Sequence, residues 1–558
     1  MQYLIHKEFL NILQERYTIC FVGDFSVEKC QHQLIDVIFA LKMKNILNIA
    51  LVLAGKIEDS AYMTFLEQHA NLMGLNRDVI FIKEDYKSYI NILYHRADLY
   101  LSLNENNCYI DEWILKAIAS YVPILFYDNG QIQHTLFTGS LFYKTPTQVA
   151  LQIEKVMQDS HLRSTLLKEQ RKFALNIPQI LSTVVFDNFD FSIQGPCDST
   201  YSLSIVNQEL GQALDTEKKK VVFFATEGPG DYEPNKYFLE NYNPFVLSHL
   251  SDTPLQANTV IRNLYPPRVS SMGGMIKILG PYGWEESSFP LEYVEQFNMR
   301  LNGIACMSSY VADVLKNNGV TVPLCVTGIG VDHILRYVSE PLSFVLPEEG
   351  LKLLHISSCF PRKGVDLLLQ AINYIPYPLT LIIKTFPNPH NTIKKDLIEL
   401  GWVEHTYYHT KDNKKIILIE DDLSMGQIKF LYENSDMLIA PSRGEGFGLP
   451  MAEAMLLELP VVTTGYGGQM DFCSYETSWL VNYTFVQAKT HMNLPNSLWA
   501  EPILNDLINQ IIKVIHEPIL EKQKKVKRAK KVIQKYFTWE CVAQKIIDFE
   551  KTLTMCLK

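Results

Sequence analysis

The chain has 558 residues, too many for one hydrophobic core, which predicts several domains of ~100–200 residues each. Hydrophobic residues at 47% and charged residues at 20% exclude a disordered or low-complexity chain. A net charge of −10 excludes bulk attraction to nucleic acid, whose affinity comes from neutralised phosphates, so any phosphate site must be local. The 10 scattered cysteines include no CxxC pair, so neither a metal site nor a disulfide framework is expected, and a reducing cytoplasm fits that usage. The N-terminus carries charges where a signal peptide needs its apolar centre, and no uncharged apolar run approaches the ~18–20 residues of a membrane span.

Along the chain, runs rich in Ile, Val and Leu recur at Ile19–Val22, Ala50–Leu53, Val79–Ile82, Leu99–Leu103 and Ile124–Tyr127, separated by helix-like stretches. Strands buried on both faces read this way, and their alternation with helices predicts an α/β fold with a parallel sheet. Residues 193–219 are polar and carry Gly195-Pro196, Gly211 and a Glu-Lys-Lys-Lys run, which suits a linker. A second α/β unit follows, with strands expected at Val221–Ala225, Val260–Leu264, Ile276–Leu279, Ile304–Met307 and Leu324–Thr327. The last runs, Leu353–Ser357, Leu379–Lys384, Ile416–Ile419, Met437–Ala440 and Val461–Thr464, repeat the order of the first set.

Local matches support a duplication. Tyr94-His-Arg-Ala-Asp98 pairs with Tyr432-Glu-Asn-Ser-Asp436, and Val122-Pro-Ile-Leu with Leu459-Pro-Val-Val. Glu28-Lys29 and Arg362-Lys363 each follow a strand and open a helix. Two copies of one Rossmann-like half are expected, roughly over residues 1–180 and 340–545.

In Pro441-Ser-Arg-Gly-Glu-Gly-Phe-Gly-Leu-Pro-Met-Ala-Glu-Ala-Met455 a strand ends and a glycine-rich turn delivers the chain into a helix, with Pro450 suited to its first turn. Free amides at such a helix start bind phosphates, and Gly444, Gly446 and Gly448 permit close backbone approach and positive φ. Glu445 and Glu453 stand eight residues apart, one in the turn and one on the helix. This E-x7-E pattern, with Leu459-Pro-Val-Val-Thr-Thr-Gly-Tyr-Gly-Gly-Gln469 after it, resembles the GT-B family 4 glycosyltransferases.

The resemblance implies two Rossmann-like halves facing a cleft, here with an extra N-terminal Rossmann-like half. The expected domains are a degenerate donor-type half at 1–192, a linker at 193–219, an acceptor half at 220–338 and a donor half with C-terminal helices at 339–558. It further implies metal-independent, configuration-retaining transfer from a nucleotide diphosphosugar, a UDP- or GDP-sugar, with no resident cofactor. Such a reaction must stabilise charge on the departing diphosphate while an oxocarbenium-like centre develops. Carried over, Glu445 contacts donor-sugar hydroxyls and Glu453 the ribose, while Gly446, Phe447, Gly448 and Leu449 offer backbone donors. Leu354-His-Ile-Ser-Ser-Cys-Phe-Pro-Arg-Lys-Gly-Val-Asp366 resembles the diphosphate clamp, with Lys363 as its lysine. Ser358 stands where the family's arginine belongs, so Arg362 must supply the second charge or it is absent. Two cations at a helix start oppose the helix dipole unless an anion is present.

In the middle half, Val221-Val-Phe-Phe-Ala-Thr-Glu-Gly228-Pro-Gly230-Asp resembles the loop that faces the donor, although Gly-Pro-Gly is equally a plain turn. Tyr282-Gly-Trp-Glu-Glu-Ser-Ser-Phe-Pro290 sets acids and aromatics after a strand, which suits sugar recognition or simple solvation, and Glu285 is favoured over Glu286. Glu420 and Asp421 are further candidates that read equally as solvated loop acids, and His249 is one that reads more readily as a hydrogen-bonded structural residue. Gly328-Ile-Gly-Val-Asp332 resembles the hinge between halves. In the first copy Cys108 replaces Glu445, Lys116 replaces Glu453 and Asp24 replaces the clamp arginine, so residues 1–192 are expected to serve docking, regulation or a protein partner.

The acceptor implied is a glycan or a lipid-linked glycan of surface polysaccharide. The basic stretch Lys522–Lys531 reads as a solvated helix face or as a peripheral contact with an anionic membrane. A catalytically silent sugar-binding or scaffold protein, and a phosphorylase on the same fold, are the competing readings.

Overall fold

The computed structural model describes residues 16–556 except 84–85, 104–111, 128–140, 144, 176–188, 227–233, 252–256, 271, 348, 406–407 and 491. The continuous apolar runs form parallel sheets. The first comprises β1 (Tyr17–Val22), β2 (Ile49–Ala54), β3 (Val79–Ile82), β4 (Leu99–Ser102), β5 (Ile124–Tyr127) and β6 (Leu141–Tyr143), in the order β3-β2-β1-β4-β5-β6. Alternation along β1 shows why these strands are apolar throughout: Ile19 and Phe21 enter one core and Cys20 and Val22 the other.

The second sheet comprises β7 (Phe189–Gln194), β8 (Val221–Phe224), β9 (Ala257–Arg262), β10 (Ile276–Tyr282), β11 (Gly303–Cys306) and β12 (Leu324–Val326), ordered β12-β11-β10-β9-β7-β8. The reading of residues 193–219 as a linker is therefore corrected. β7 lies inside this sheet between β9 and β8, and residues Ser202–Thr216 form a helix. Its polar residues misled because they are buried and bonded to distant groups. Asn207 donates to the carbonyls of Pro196 (2.8 Å) and Asn263 (3.0 Å), Gln208 donates to that of Ser199 (2.9 Å), and Glu209 pairs with Arg336.

The third sheet comprises β13 (Leu351–Ile356), β14 (Leu379–Lys384), β15 (Val403–Glu404), β16 (His409–Lys411), β17 (Lys414–Ile419), β18 (Met437–Ala440), β19 (Val461–Thr464) and β20 (Trp479–Val481). Beyond antiparallel β15 and β16 at one edge, its order β17-β14-β13-β18-β19-β20 reproduces that of the first sheet. Local details repeat as well. Asp98 Oδ2 accepts the amide of Thr18 at 2.9 Å, and Asp436 Oδ2 accepts that of Lys352 at 2.7 Å. Single 3-10 turns at Val27–Lys29 and Pro361–Lys363 each end on a left-handed residue, Cys30 (φ 52°) and Gly364 (φ 69°).

A hairpin, β21 (Tyr483–Gln487) with β22 (Leu498–Pro502), completes the third lobe. The helix Ile519–Tyr536 buries Val526, Ala529 and Ile533, and part of its basic stretch is engaged. Lys530 bonds Glu458 at 2.7 Å, and Lys525 covers the Trp479 ring at 4.4 Å. The last helix, Trp539–Cys556, returns to the second lobe, where Phe549 and Leu553 border Gly303 of β11. No described helix is long and apolar enough to cross a membrane.

The first and second lobes meet through a buried charge cluster. Arg300 pairs with Asp98, each side chain 9% exposed, and Arg163 and Lys277 are buried beside them. Burial lowers the Lys277 ammonium well below its ordinary range. Removing one member of a buried pair strands the other charge, so Arg300→Ala is expected to destabilise the chain by about 3 kcal/mol. A lower midpoint of the earliest thermal transition checks this. An unchanged midpoint would contradict it.

Candidate active site

The strand ends of the second and third sheets that open toward each other carry the candidate residues. The chain after β13 turns through Pro361–Lys363, and the chain after β18 makes the glycine turn before the helix Leu449–Leu456. Gly448 caps that helix at φ 97°, with Pro450 in the first turn. Gly444 and Gly446 serve close approach. A Cβ on Gly444 would stand 2.2 Å from the Glu285 carbonyl oxygen, and one on Gly446 3.0 Å from the Trp284 nitrogen. The two lobes therefore touch backbone to backbone at this turn.

Four predicted residues converge there. Lys363 Nζ bonds Glu445 Oε1 at 2.6 Å, Ser442 Oγ donates to the same oxygen at 2.7 Å, and Arg362 lies 3.9 Å from Glu445 Oε2. Arg362 also reaches across to Glu285 of the second lobe at 3.0 Å. Burial alone would raise the Glu445 carboxyl, but Lys363 and Arg362, with the bonds from Lys363 and Ser442, hold it below its ordinary range. Burial lowers the Lys363 ammonium, Arg362 lowers it further, and Glu445 opposes both.

Glu453 is 4% exposed on the helix Leu449–Leu456. Tyr432 donates to its Oε2 at 2.7 Å, and His333 Nε2 lies 3.2 Å from its Oε1 without hydrogen-bond alignment. Trp539 donates to His333 Nδ1 at 3.2 Å, which ties this acid to the crossing of the last helix. Phe447 is a core side chain, packed on Phe472 and Phe537 at 5.1 and 5.7 Å, and Leu449 is half-buried beside the same core. Gly228 and Gly230, like Cys108, lie outside the described residues.

Other candidates sit apart from this cluster. Glu286 is 5% exposed and accepts hydroxyls of Thr490 (2.8 Å) and Ser497 (2.5 Å), so it fastens the hairpin loop. His249 is bonded locally, to Ser248 and the Phe245 carbonyl, and Glu420 pairs with Lys394. Ser358 brings no charge, and its buried Oγ has no hydrogen-bond partner among the described residues. Lys116 covers the Trp113 ring at 4.5 Å, and Asp24 accepts the Lys56 amide at 3.1 Å. No described cluster of His, Cys, Asp and Glu could hold a metal ion.

Sequence reasoning passed over Arg443. It is 6% exposed, forks onto both oxygens of Asp366 (2.8 and 2.8 Å) and of Glu501 (2.6 and 2.7 Å), and so braces the turn next to Glu445. Its signal was present as a charge inside a glycine turn flanked by buried residues. Its partners lie 77 and 58 positions away and are invisible without the fold.

Below the cluster, His355 is 1% exposed, donates to the Ile439 carbonyl (2.7 Å) through Nδ1 and accepts from Ser357 (2.7 Å) at Nε2. Burial pulls its pKa from 6.5 to about 4. The native state then binds fewer protons than the unfolded chain between those values, so stability falls as pH drops from 6.5 to 4, by roughly 3 kcal/mol in total. A His355→Gln variant should lose less of its thermal midpoint than the wild type over that window. Equal losses would contradict the assignment.

A profile of the family described as Glycosyl transferases group 1 matches residues 4–173 and 342–488. The lipopolysaccharide core biosynthesis mannosyltransferase LpcC of Rhizobium leguminosarum is 30% identical over 156 residues, covering 26% of this chain and 41% of that protein. An uncharacterized glycosyltransferase of Methanocaldococcus jannaschii is 27% identical over 165 residues, covering 30% of this chain and 40% of its own. The chain spans less than half the length of these curated relatives. Among solved structures, sucrose-phosphate synthase of Thermosynechococcus elongatus aligns over 66% of this chain and 99% of that one, at 15% identity and a TM-score of 0.45.

Proposed function

Because the chain belongs to the family of Glycosyl transferases group 1, we propose that it transfers a sugar, with retention, from a UDP- or GDP-sugar to a glycan or lipid-linked acceptor. The observation that carries this reading is the Lys363–Glu445–Arg362–Glu285 cluster held between two lobes. Two cations and two carboxylates neutralise one another there. An incoming diphosphate takes Lys363 and Arg362, which frees Glu445 for the sugar hydroxyls and leaves Glu285 facing the reacting carbon from the other lobe. The amides of Gly446 to Leu449 add donors at a helix start. Glu453 serves the ribose in exchange for its contacts with Tyr432 and His333.

The family 4 assignment rests on the E-x7-E spacing. A role in surface polysaccharide assembly is supported by relatives named for lipopolysaccharide core and O-antigen synthesis. The matched strand order of the first and third sheets supports an internal duplication whose first copy has become a docking or regulatory lobe. Action on the cytoplasmic face, with the basic helix near anionic lipid, completes the reading. The competing reading, a silent sugar-binding scaffold, draws on uncharged Ser358 and on the internal contacts of Glu453.

Donor turnover decides between them. With UDP-glucose, UDP-galactose, UDP-N-acetylglucosamine and GDP-mannose as a panel, the wild type should hydrolyse or transfer from one donor. Lys363→Ala and Glu445→Gln should each lower its kcat/KM by about 100-fold. No turnover of any donor would leave the scaffold reading standing.

A further inference from the structure

The hairpin of β21 and β22 is fastened to both lobes, and its strand β21 is exposed along most of its length. Its register places Thr484, Val486, Trp499 and Glu501 on one side, and Tyr483, Phe485, Gln487 and Leu498 on the other. The first side is anchored to the third lobe: Trp499 lies under the Arg443 guanidinium at 5.5 Å, and Glu501 takes the fork described above. The loop is anchored to the second lobe through Glu286 and through Ser287, whose Oγ accepts the Leu498 amide at 2.8 Å and whose own amide donates back at 3.1 Å.

The other face carries an aromatic strip. Tyr466 packs on Tyr483 (5.3 Å) and stands edge-on to Phe485 (5.0 Å, 83°), and it meets Tyr310 of the second lobe at 5.3 Å. Phe485 is 52% exposed. Its neighbour in the strip, Tyr466, precedes Gly467, where a Cβ would stand 3.2 Å from the Glu445 carbonyl oxygen. The strip therefore begins one residue from a glycine packed on the Glu445 turn and passes through Tyr466 to Phe485 on the hairpin.

We propose that Phe485, Tyr483 and Tyr466 form an acceptor subsite that stacks the ring faces of a glycan, on the donor-binding lobe rather than opposite it. The C–H face of a pyranose carries partial positive charge and meets the negative face of an aromatic ring, while its rim of hydroxyls needs polar neighbours such as Gln487. A lipid chain would call for a continuous aliphatic groove instead. This inference rests on Glu445 marking the donor site.

Saturation-transfer NMR on the full chain with UDP present tests it, using methyl α-mannopyranoside, methyl β-galactopyranoside and methyl β-N-acetylglucosaminide as probes. Transfer to the ring protons of at least one probe is expected in the wild type. It should fall about fivefold in Phe485→Ala and persist in Phe485→Trp. No transfer to any probe, or equal transfer in the wild type and Phe485→Ala, would overturn the subsite. Thermal stabilisation by UDP or GDP, measured on the same samples, reads the donor site separately and should be equal in all three proteins.

Discussion

A carboxylate taken out of water must be paired, and Glu445 is buried between two lobes with Lys363, Ser442 and Arg362 around it. Much of the surrounding architecture serves that pairing. The chain after β13 must turn within one 3-10 turn to bring both cations forward, and the chain after β18 must pass so close to the second lobe that Gly444 and Gly446 can carry no side chain. Arg443 braces the same turn from behind by forking onto Asp366 and Glu501. The cations are thus held against Glu445 and Glu285 between the two lobes.

The second and third lobes also meet through hydrogen bonds. Ser308 donates to the Gly446 carbonyl at 2.7 Å, and the Ser309 amide donates to Asp471 at 2.8 Å, both across the cleft. The last helix crosses back, with the Trp539 amide bonded to Asp332 at 2.8 Å and Trp539 bonded to His333 beside Glu453. Opening the cleft therefore disturbs Glu453 and Glu445 together. That coupling gives a physical route by which lobe motion and ligand contact influence each other.

Much of this was legible in the sequence because it depends on local pattern. Strands buried on both faces must be apolar throughout, so Ile19–Val22 and Leu379–Lys384 announce themselves, and a turn approached by another backbone must be glycine. What hides is what long-range contact decides. Ser202–Thr216 looks polar, yet its Asn207 and Glu209 are buried on bonds to Pro196, Asn263 and Arg336, partners that the sequence does not show. Glu285 and Glu286 are adjacent and chemically identical. Only the fold turns one toward Arg362 and the other into the hairpin loop.

A crystal structure with UDP bound measures directly where a diphosphate binds. Lys363 Nζ and the Arg362 guanidinium should leave Glu445 and Glu285 and lie within hydrogen-bond distance of the phosphate oxygens. A bound UDP whose phosphates lie elsewhere, with both cations still on their carboxylates, would contradict the proposed site.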